Sequence, residues 1–472
     1  MKKIVIIGGG VAGLTAGIFA LRSGAAVTLI DKNGSGAGAL CGWRRGDCTV
    51  DGCLHWLTGT REGTELYDIW QKTGMLDGEV VKQEVFFSSE TDGSSVSFYD
   101  DAERTAEEMT EKFPEDRREI AKFFTAVRAA SSLSGTEEGG LSKAASLAYL
   151  APYALLSAGE VAERFESAAM KRAMSDLTGK YYSSLGLIFA YSAFSSGNGY
   201  LPRGGSPGAA KRMRDKFVSL GGELIAPARA ERVERRGGEY VVSTSDGRAV
   251  TGDGVICCID PLRAARTLFD KDVTPKSCGK KVRNKAKYPI FSSVHFAFSA
   301  DSSDVPFRGT LFFPCRRHDV GSVNRDRMML KEYSHEPSFA PYGKTVLQTM
   351  LFADESECRR WIALRSDGGA YAAEKARAAS EVTERIKERY PSLRGSLELI
   401  DSWTPATYSR YLGSACGSYM NFALTPATMP PSFPMRVRGA DGVVFASSRT
   451  SSPGGVPNAA YAGKRAVDMI LG

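Results

Sequence analysis

Gly8, Gly10 and Gly13 stand between an apolar run, residues 3–7, and a helical stretch over 14–23. A run of continuous apolar residues marks a strand covered on both faces, as in a parallel sheet. Gly24 closes the helix, and residues 26–30 form a second apolar strand that ends at Asp31. In this arrangement the first glycine makes the turn, the second lets a pyrophosphate approach, and the third lets helix and strand pack. Pyrophosphate would sit on the helix start, and Asp31 would accept from a ribose hydroxyl. The pattern commits the N-terminal part to an α/β dinucleotide-binding unit. It suits FAD and NAD alike.

A second glycine turn stands near the other end. Residues 443–446 read as a short strand, and Pro453-Gly454-Gly455-Val456-Pro457 then opens a helix. Paired glycines admit a ligand close to the backbone, and Pro457 gives up no hydrogen bond in a first helical turn. The free amides of such a helix start favour an electron-rich group.

Bulk properties narrow the function classes. At 472 residues, 43% hydrophobic and 24% charged, the chain has the composition of a soluble globular protein of two or three domains' length. Nine cysteines with no C-x-x-C pair argue against a disulfide framework or a zinc site, and only four scattered histidines argue against any metal. The N-terminus enters a strand directly, without a signal-like segment, so a cytoplasmic location is expected. The densest basic run, 280–287, reads either as a solvated face or as a patch for anionic lipid or cofactor phosphates. No basic run is interleaved with aromatics, so nucleic acid is not an expected partner.

Four blocks together resemble the FAD-dependent amine oxidase and phytoene desaturase superfamily. They are 8–31; Gly38-Ala39-Leu40-Cys41-Gly42-Trp43 running on to Asp51-Gly52-Cys53-Leu54-His55-Trp56; Tyr200-Leu201-Pro202-Arg203-Gly204-Gly205-Ser206; and the C-terminal Pro-Gly-Gly-Val-Pro. The set is most similar to the branch of carotenoid isomerases, bacterial phytoene desaturases and retinol saturases. The resemblance implies FAD, with Gly8, Gly10, Gly13, Asp31 and the adjacent Lys32 holding its ADP half. It implies Gly38 and Cys41 along the pyrophosphate and ribitol, and Ala230 to Val233 with Cys258 near adenine. It implies Ser448, Gly455, Val456 and Pro457 around the flavin. The chain departs from the family in carrying Asp31 where many relatives have Glu, Ala39 where glycine is usual, and Ser448 where an acid or amide is common.

The implied fold is α/β: a discontinuous Rossmann-like FAD-binding domain (1–75, 197–285, 395–472) with an inserted α+β substrate domain (76–196, 286–394) of antiparallel sheet plus helices. Residues 294–299 and 345–352 read as strands of that sheet. A helix begins at Pro114, with Ile120, Phe123, Phe124 and Val127 on one apolar face. Residues 144–159 carry no charge; they read as a buried core helix, or as a cap over an apolar tunnel or a shallow membrane dip. His55 is the catalytic candidate, able to move a proton near neutral pH, against the alternative that it packs beside Trp56. Tyr408 and Tyr411 either line the substrate side or belong to the core. The expected function is an FAD-dependent oxidoreductase of desaturase, saturase or isomerase type, passing a hydride at flavin N5 on an apolar polyene or isoprenoid-like substrate. Membrane contact at the inner face stays open. The alternatives are an amine or porphyrinogen-type oxidase and a flavin-free lipid-binding relative.

Overall fold

The structure is a computed structural model that describes every residue except 35–36, 136–139, 285–288, 421, 427–432 and 451–453, and the side chains of 281–283. Pro453 and the end of the basic run therefore lie outside the described residues. A five-stranded parallel sheet takes strands from three distant parts of the chain, in the order Val443–Phe445, Gly254–Cys257, Lys3–Ile7, Ala26–Ile30, Glu223–Ile225. Its apolar strands are buried on both faces, as continuous runs require. A three-stranded antiparallel ribbon, Ala230–Arg236, Glu239–Thr244 and Ala249–Gly252, stands beside it.

Helices Val11–Arg22 and Gly455–Leu471 pack against each other. Gly463 allows it, since a β-carbon there would lie 2.3 Å from the Ala12 carbonyl oxygen. This contact brings the two glycine turns, more than 400 residues apart, to the same end of the parallel sheet.

The second layer is a seven-stranded sheet in the order Glu398–Trp403, Phe291–Asp301, Lys344–Asp354, Arg327–Glu332, Thr310–Pro314, Val85–Glu90, Ser95–Tyr99. The two longest strands pair antiparallel along their whole length, from Phe291↔Asp354 to Asp301↔Lys344. Strand Glu398–Trp403 corrects the sequence reading, which put residues 395–472 with the cofactor half. It pairs with Phe291–Asp301, setting Trp403 opposite His295. Partner choice across a sheet is a long-range property that strand pattern does not carry.

Helices between 102 and 195 cover one side of this sheet. After a single 3₁₀ turn at Pro114–Asp116, helix Arg117–Leu133 buries Ile120, Phe123 and Val127 and half-buries Phe124. The uncharged stretch departs from a buried core helix. Helix Lys143–Ala154 buries only Ser146, Leu150 and Tyr153, while Leu147 and Tyr149 are about half exposed and the following Leu155 is 78% exposed. Composition alone hid this, because the apolar side chains run around the helix rather than along one stripe. Among the described residues no helix is long and apolar enough to cross a membrane.

Candidate active site

One cavity of about 1510 Å³ runs between the two sheets. That exceeds the roughly 300–1,000 Å³ of a single small-molecule pocket, so the space suits a cofactor together with a substrate. At one end it is walled by Gly8, Gly10, Asp31, Lys32, Gly38, Ala230 and Cys258. Ser448, Gly455, Val456 and Pro457 line it further along, and His55 lines the stretch that faces the seven-stranded sheet.

The wall at the dinucleotide end fits its predicted ligand. Both helix starts, at Gly10 and Gly454, lack a side-chain cap, which leaves their first amides free for a ligand. Asp31 is buried and accepts from the amides of Gly9 and Asn33, each at 2.7 Å, which fixes its carboxylate at the cavity edge. Burial raises its pKa against those two bonds. Lys32 donates to the Arg410 carbonyl at 2.8 Å. The guanidinium of Arg449, missed by sequence reasoning, is buried on the wall beside Ser448. Its Nη1 and Nη2 have no hydrogen-bond partner, and Asp260 is its counter-charge at 3.3 Å. A buried guanidinium, charge-paired with Asp260 but with donors left unengaged, lines the same cavity as the two uncapped helix starts, which suits an anionic pyrophosphate-bearing cofactor.

Three of the predicted contacts lie off the cavity wall. Gly13 acts through packing, since a β-carbon there would fall 1.9 Å from the Gly8 carbonyl oxygen. Val233 is buried in the core beneath the ribbon, and its amide is already given to the Leu268 carbonyl at 2.8 Å. Of the segment Ala230 to Val233 that the resemblance placed near adenine, Ala230 and Glu231 line the wall. Cys41 sits at the base of the hairpin Gly42–Arg45/Cys48–Asp51, where its carbonyl accepts from Gly52. Burial pushes its thiol up to about 12, so it is an inert small hydrophobe.

His55 follows a turn organised by Asp51. That carboxylate accepts from the amides of Cys53, Leu54 and Ser206 and from the Ser206 hydroxyl, which explains why the second and third sequence blocks occur together. Below the turn lies Lys331, fully buried on the seven-stranded sheet. Its Nζ donates to the carbonyls of Leu54 and His55 at 3.3 and 3.1 Å and lies 4.8 Å from the Tyr333 ring centre. Burial lowers its pKa to about 8, and burial together with Lys331 lowers His55 to about 3. This lowering bears on the expectation that His55 donates or accepts a proton near neutral pH, since it disfavours the protonated ring. It stands as a neutral imidazole, able to accept or donate a hydrogen bond. A lysine inside the strand motif Arg327–Glu332 gave no signal in sequence, because only pairing across the sheet turns it inward.

The substrate side is apolar. Trp56, Phe86, Phe189, Phe312, Met329 and Met350 line it, with Ala154 and Leu155 at the exposed rim. Of the carboxylates there, Asp176 is held by Arg327 (Nε–Oδ1 2.7 Å) and by the Ser89 hydroxyl at 2.7 Å, and Asp51 by the amides of its turn and by Ser206, so neither is free to take a cation. Tyr408 lines the cavity as well and is nearly buried, while Tyr411 lines it and is half exposed. Among the described residues no group of three or more His, Cys, Asp or Glu could hold a metal ion, and all nine cysteines are free.

A dinucleotide slot opening under a second sheet, with an apolar chamber beyond it, defines a flavin-dependent oxidoreductase. The chain belongs to the flavin containing amine oxidoreductase family, whose sequence model matches residues 11–471, and FAD is its cofactor. Its fold is similar to an oxidoreductase from Methanosarcina mazei (15% identity, 99% of this chain and 100% of that one, TM-score 0.63). It is also similar to putrescine oxidase bound to putrescine (14%, 100% and 99%, TM-score 0.58) and to cyclohexylamine oxidase from Brevibacterium oxydans (15%, 99% and 98%, TM-score 0.58). No curated protein sequence matches the chain.

Proposed function

We propose that this enzyme acts on an elongated apolar substrate of polyene or isoprenoid type, as a desaturase, saturase or isomerase. The observation that carries this reading is the chamber itself, a largely aromatic and aliphatic lining whose carboxylates, Asp176 and Asp51, are already engaged by protein groups. Bound FAD supplies hydride transfer, and the protein supplies orientation and a dry site. Gly454 to Pro457 would set helix-start amides against the electron-rich side of the flavin. Neutral His55 and the fixed Asp51 turn would hold the substrate without presenting a charge to it. The test is anaerobic mixing of the holoenzyme with candidate polyenes and with amines. Bleaching of the oxidised flavin by amines alone would overturn the reading; for a saturase or isomerase the reduced enzyme is mixed with the polyene and its consumption followed. His55→Ala is expected to lower turnover by roughly ten- to a hundredfold through lost positioning of the substrate, while flavin content stays unchanged.

We propose substrate entry at the cavity rim by Leu155, and peripheral contact with a lipid surface through Leu155 together with the exposed Leu147 and Tyr149 of the same segment. Leu155→Glu is expected to raise KM for an apolar substrate several-fold and to abolish sedimentation with liposomes, leaving the flavin spectrum unaltered.

One observation favours amine oxidation as the second reading. Lys331 is a buried amine with its pKa lowered to about 8, bonded to the carbonyl of the cavity residue His55, and so a candidate for handling a proton beside the cavity. On that reading turnover of an amine rises with pH through about 8, and Lys331→Met removes the inflection.

A further inference from the structure

His295 lies on the cavity wall, 7% exposed, and belongs to no step described above. Its ring stacks on Trp403 with centroids 4.6 Å apart and planes within 9°. Its Nε2 is 3.1 Å from the Tyr408 hydroxyl, and the Trp403 indole N–H donates to that same hydroxyl at 2.8 Å. These contacts decide where the protons are. Indole nitrogen can only donate, so the Tyr408 oxygen accepts from Trp403. The hydroxyl's own proton then goes to His295 Nε2: with the ring proton on Nε2 instead, both the hydroxyl proton and Nδ1 would lack a partner, whereas this arrangement leaves only Nδ1–H without one. Burial holds the His295 pKa well below its ordinary value, so the ring stays neutral and keeps this tautomer. The single ring proton therefore sits on Nδ1. That atom has no hydrogen-bond partner among the described residues.

We infer that His295 Nδ1–H is a substrate-recognition donor, and that the apolar substrate carries a hydrogen-bond acceptor, such as a carbonyl, hydroxyl or ether oxygen, which it presents to this atom. The inference deepens the apolar-substrate reading and rests on it for the nature of the rest of the ligand. Trp403 and Tyr408 are positioning residues that set the tautomer. A pure hydrocarbon would leave a buried donor unpaired, so the enzyme would distinguish oxygenated from unoxygenated substrates of one skeleton.

The test uses the holoenzyme labelled with 15N-histidine. Its four histidines make assignment by His295→Phe direct. The Nδ1-protonated tautomer is expected at His295, and Tyr408→Phe is expected to release it, since the phenyl ring removes the donor to Nε2. β-Ionone, a polyene ketone, is expected to shift the Nδ1 resonance and to bind roughly three- to tenfold tighter than the hydrocarbon of the same skeleton lacking the oxygen. His295→Phe is expected to erase that preference. An Nε2-protonated ring, equal affinity for the two ligands, or an Nδ1 shift produced by loading FAD alone would each overturn the proposal. If wild type binds neither ligand, the apolar-substrate reading and the ligand class assigned to His295 both fall. The tautomer measurement is unaffected by that outcome, so the two failures are separable.

Discussion

Gly13→Ala is expected to yield protein without bound FAD. The added methyl carbon would lie 1.9 Å from the Gly8 carbonyl oxygen, a backbone atom in the turn that carries the pyrophosphate site. Neither side can give by rotating a side chain. Helix Val11–Arg22 must move off strand Lys3–Ile7, and the amides at its start leave their positions. Overpacking of this kind costs about 1–3 kcal/mol in an ordinary core, and more where the clash is with backbone. Cofactor loss should outrun loss of folding, because the site depends on ångström-scale placement of the amides. The check is the ratio of visible flavin absorbance to protein absorbance after purification, read beside the thermal midpoint. A normal flavin ratio would mean that the 8–13 turn does not hold the cofactor.

The second large effect is acid lability. His55 and His335 are both pushed down to about 3 by burial, with Lys331 adding to each and Arg203 to His335, and His295 and His318 are also lowered, by burial first. A folded-state pKa below the unfolded value means that the unfolded chain binds the proton first. As pH falls from 6.5 toward 3, the unfolded state therefore gains protons that the native state refuses. Stability should drop by about 1.4 kcal/mol per pH unit for each such histidine at the limit. Asp31 and Asp176 work in the opposite sense, since burial raises both, but they act only nearer the carboxylate range. Between pH 6.5 and 5 the histidine effect should dominate. Denaturant midpoints at pH 7.0 and 5.0 measure it, and His335→Gln, at a ring paired to Gln83 and stacked on Tyr333, should flatten the slope. A midpoint unchanged across that range would show that the rings protonate without leaving the fold.

Much of the cofactor half was legible before any coordinates. Glycine spacing, apolar strand runs and the position of Asp31 are local requirements of a turn, a buried parallel strand and a ribose contact, so the chain must spell them in order. The resemblance of four blocks supplied the pairing of chain ends and the choice of FAD. Val233 and Cys41 do not line the cavity, and for Val233 the reason is that whether a backbone amide is free depends on what the next element does with it. In Val233 the Leu268 carbonyl had already taken it. His55, named as the catalytic candidate, lines the cavity, but its lowered proton affinity could not be read from the sequence, since the lysine beneath it comes from 276 residues away.

The sequence by itself determined the dinucleotide turn, the two helix starts and the α/β character, because each is fixed by steric and hydrogen-bonding demands among neighbours in the chain. Tertiary structure alone decided the substrate side. Which faces of Phe291–Asp301 and Arg327–Glu332 turn inward, and hence that His295 lines the cavity and Lys331 sits beneath the His55 turn, follows from register across a seven-stranded sheet. Shifting that register by one residue would send every one of those side chains to the other face, and nothing local to the chain records the choice.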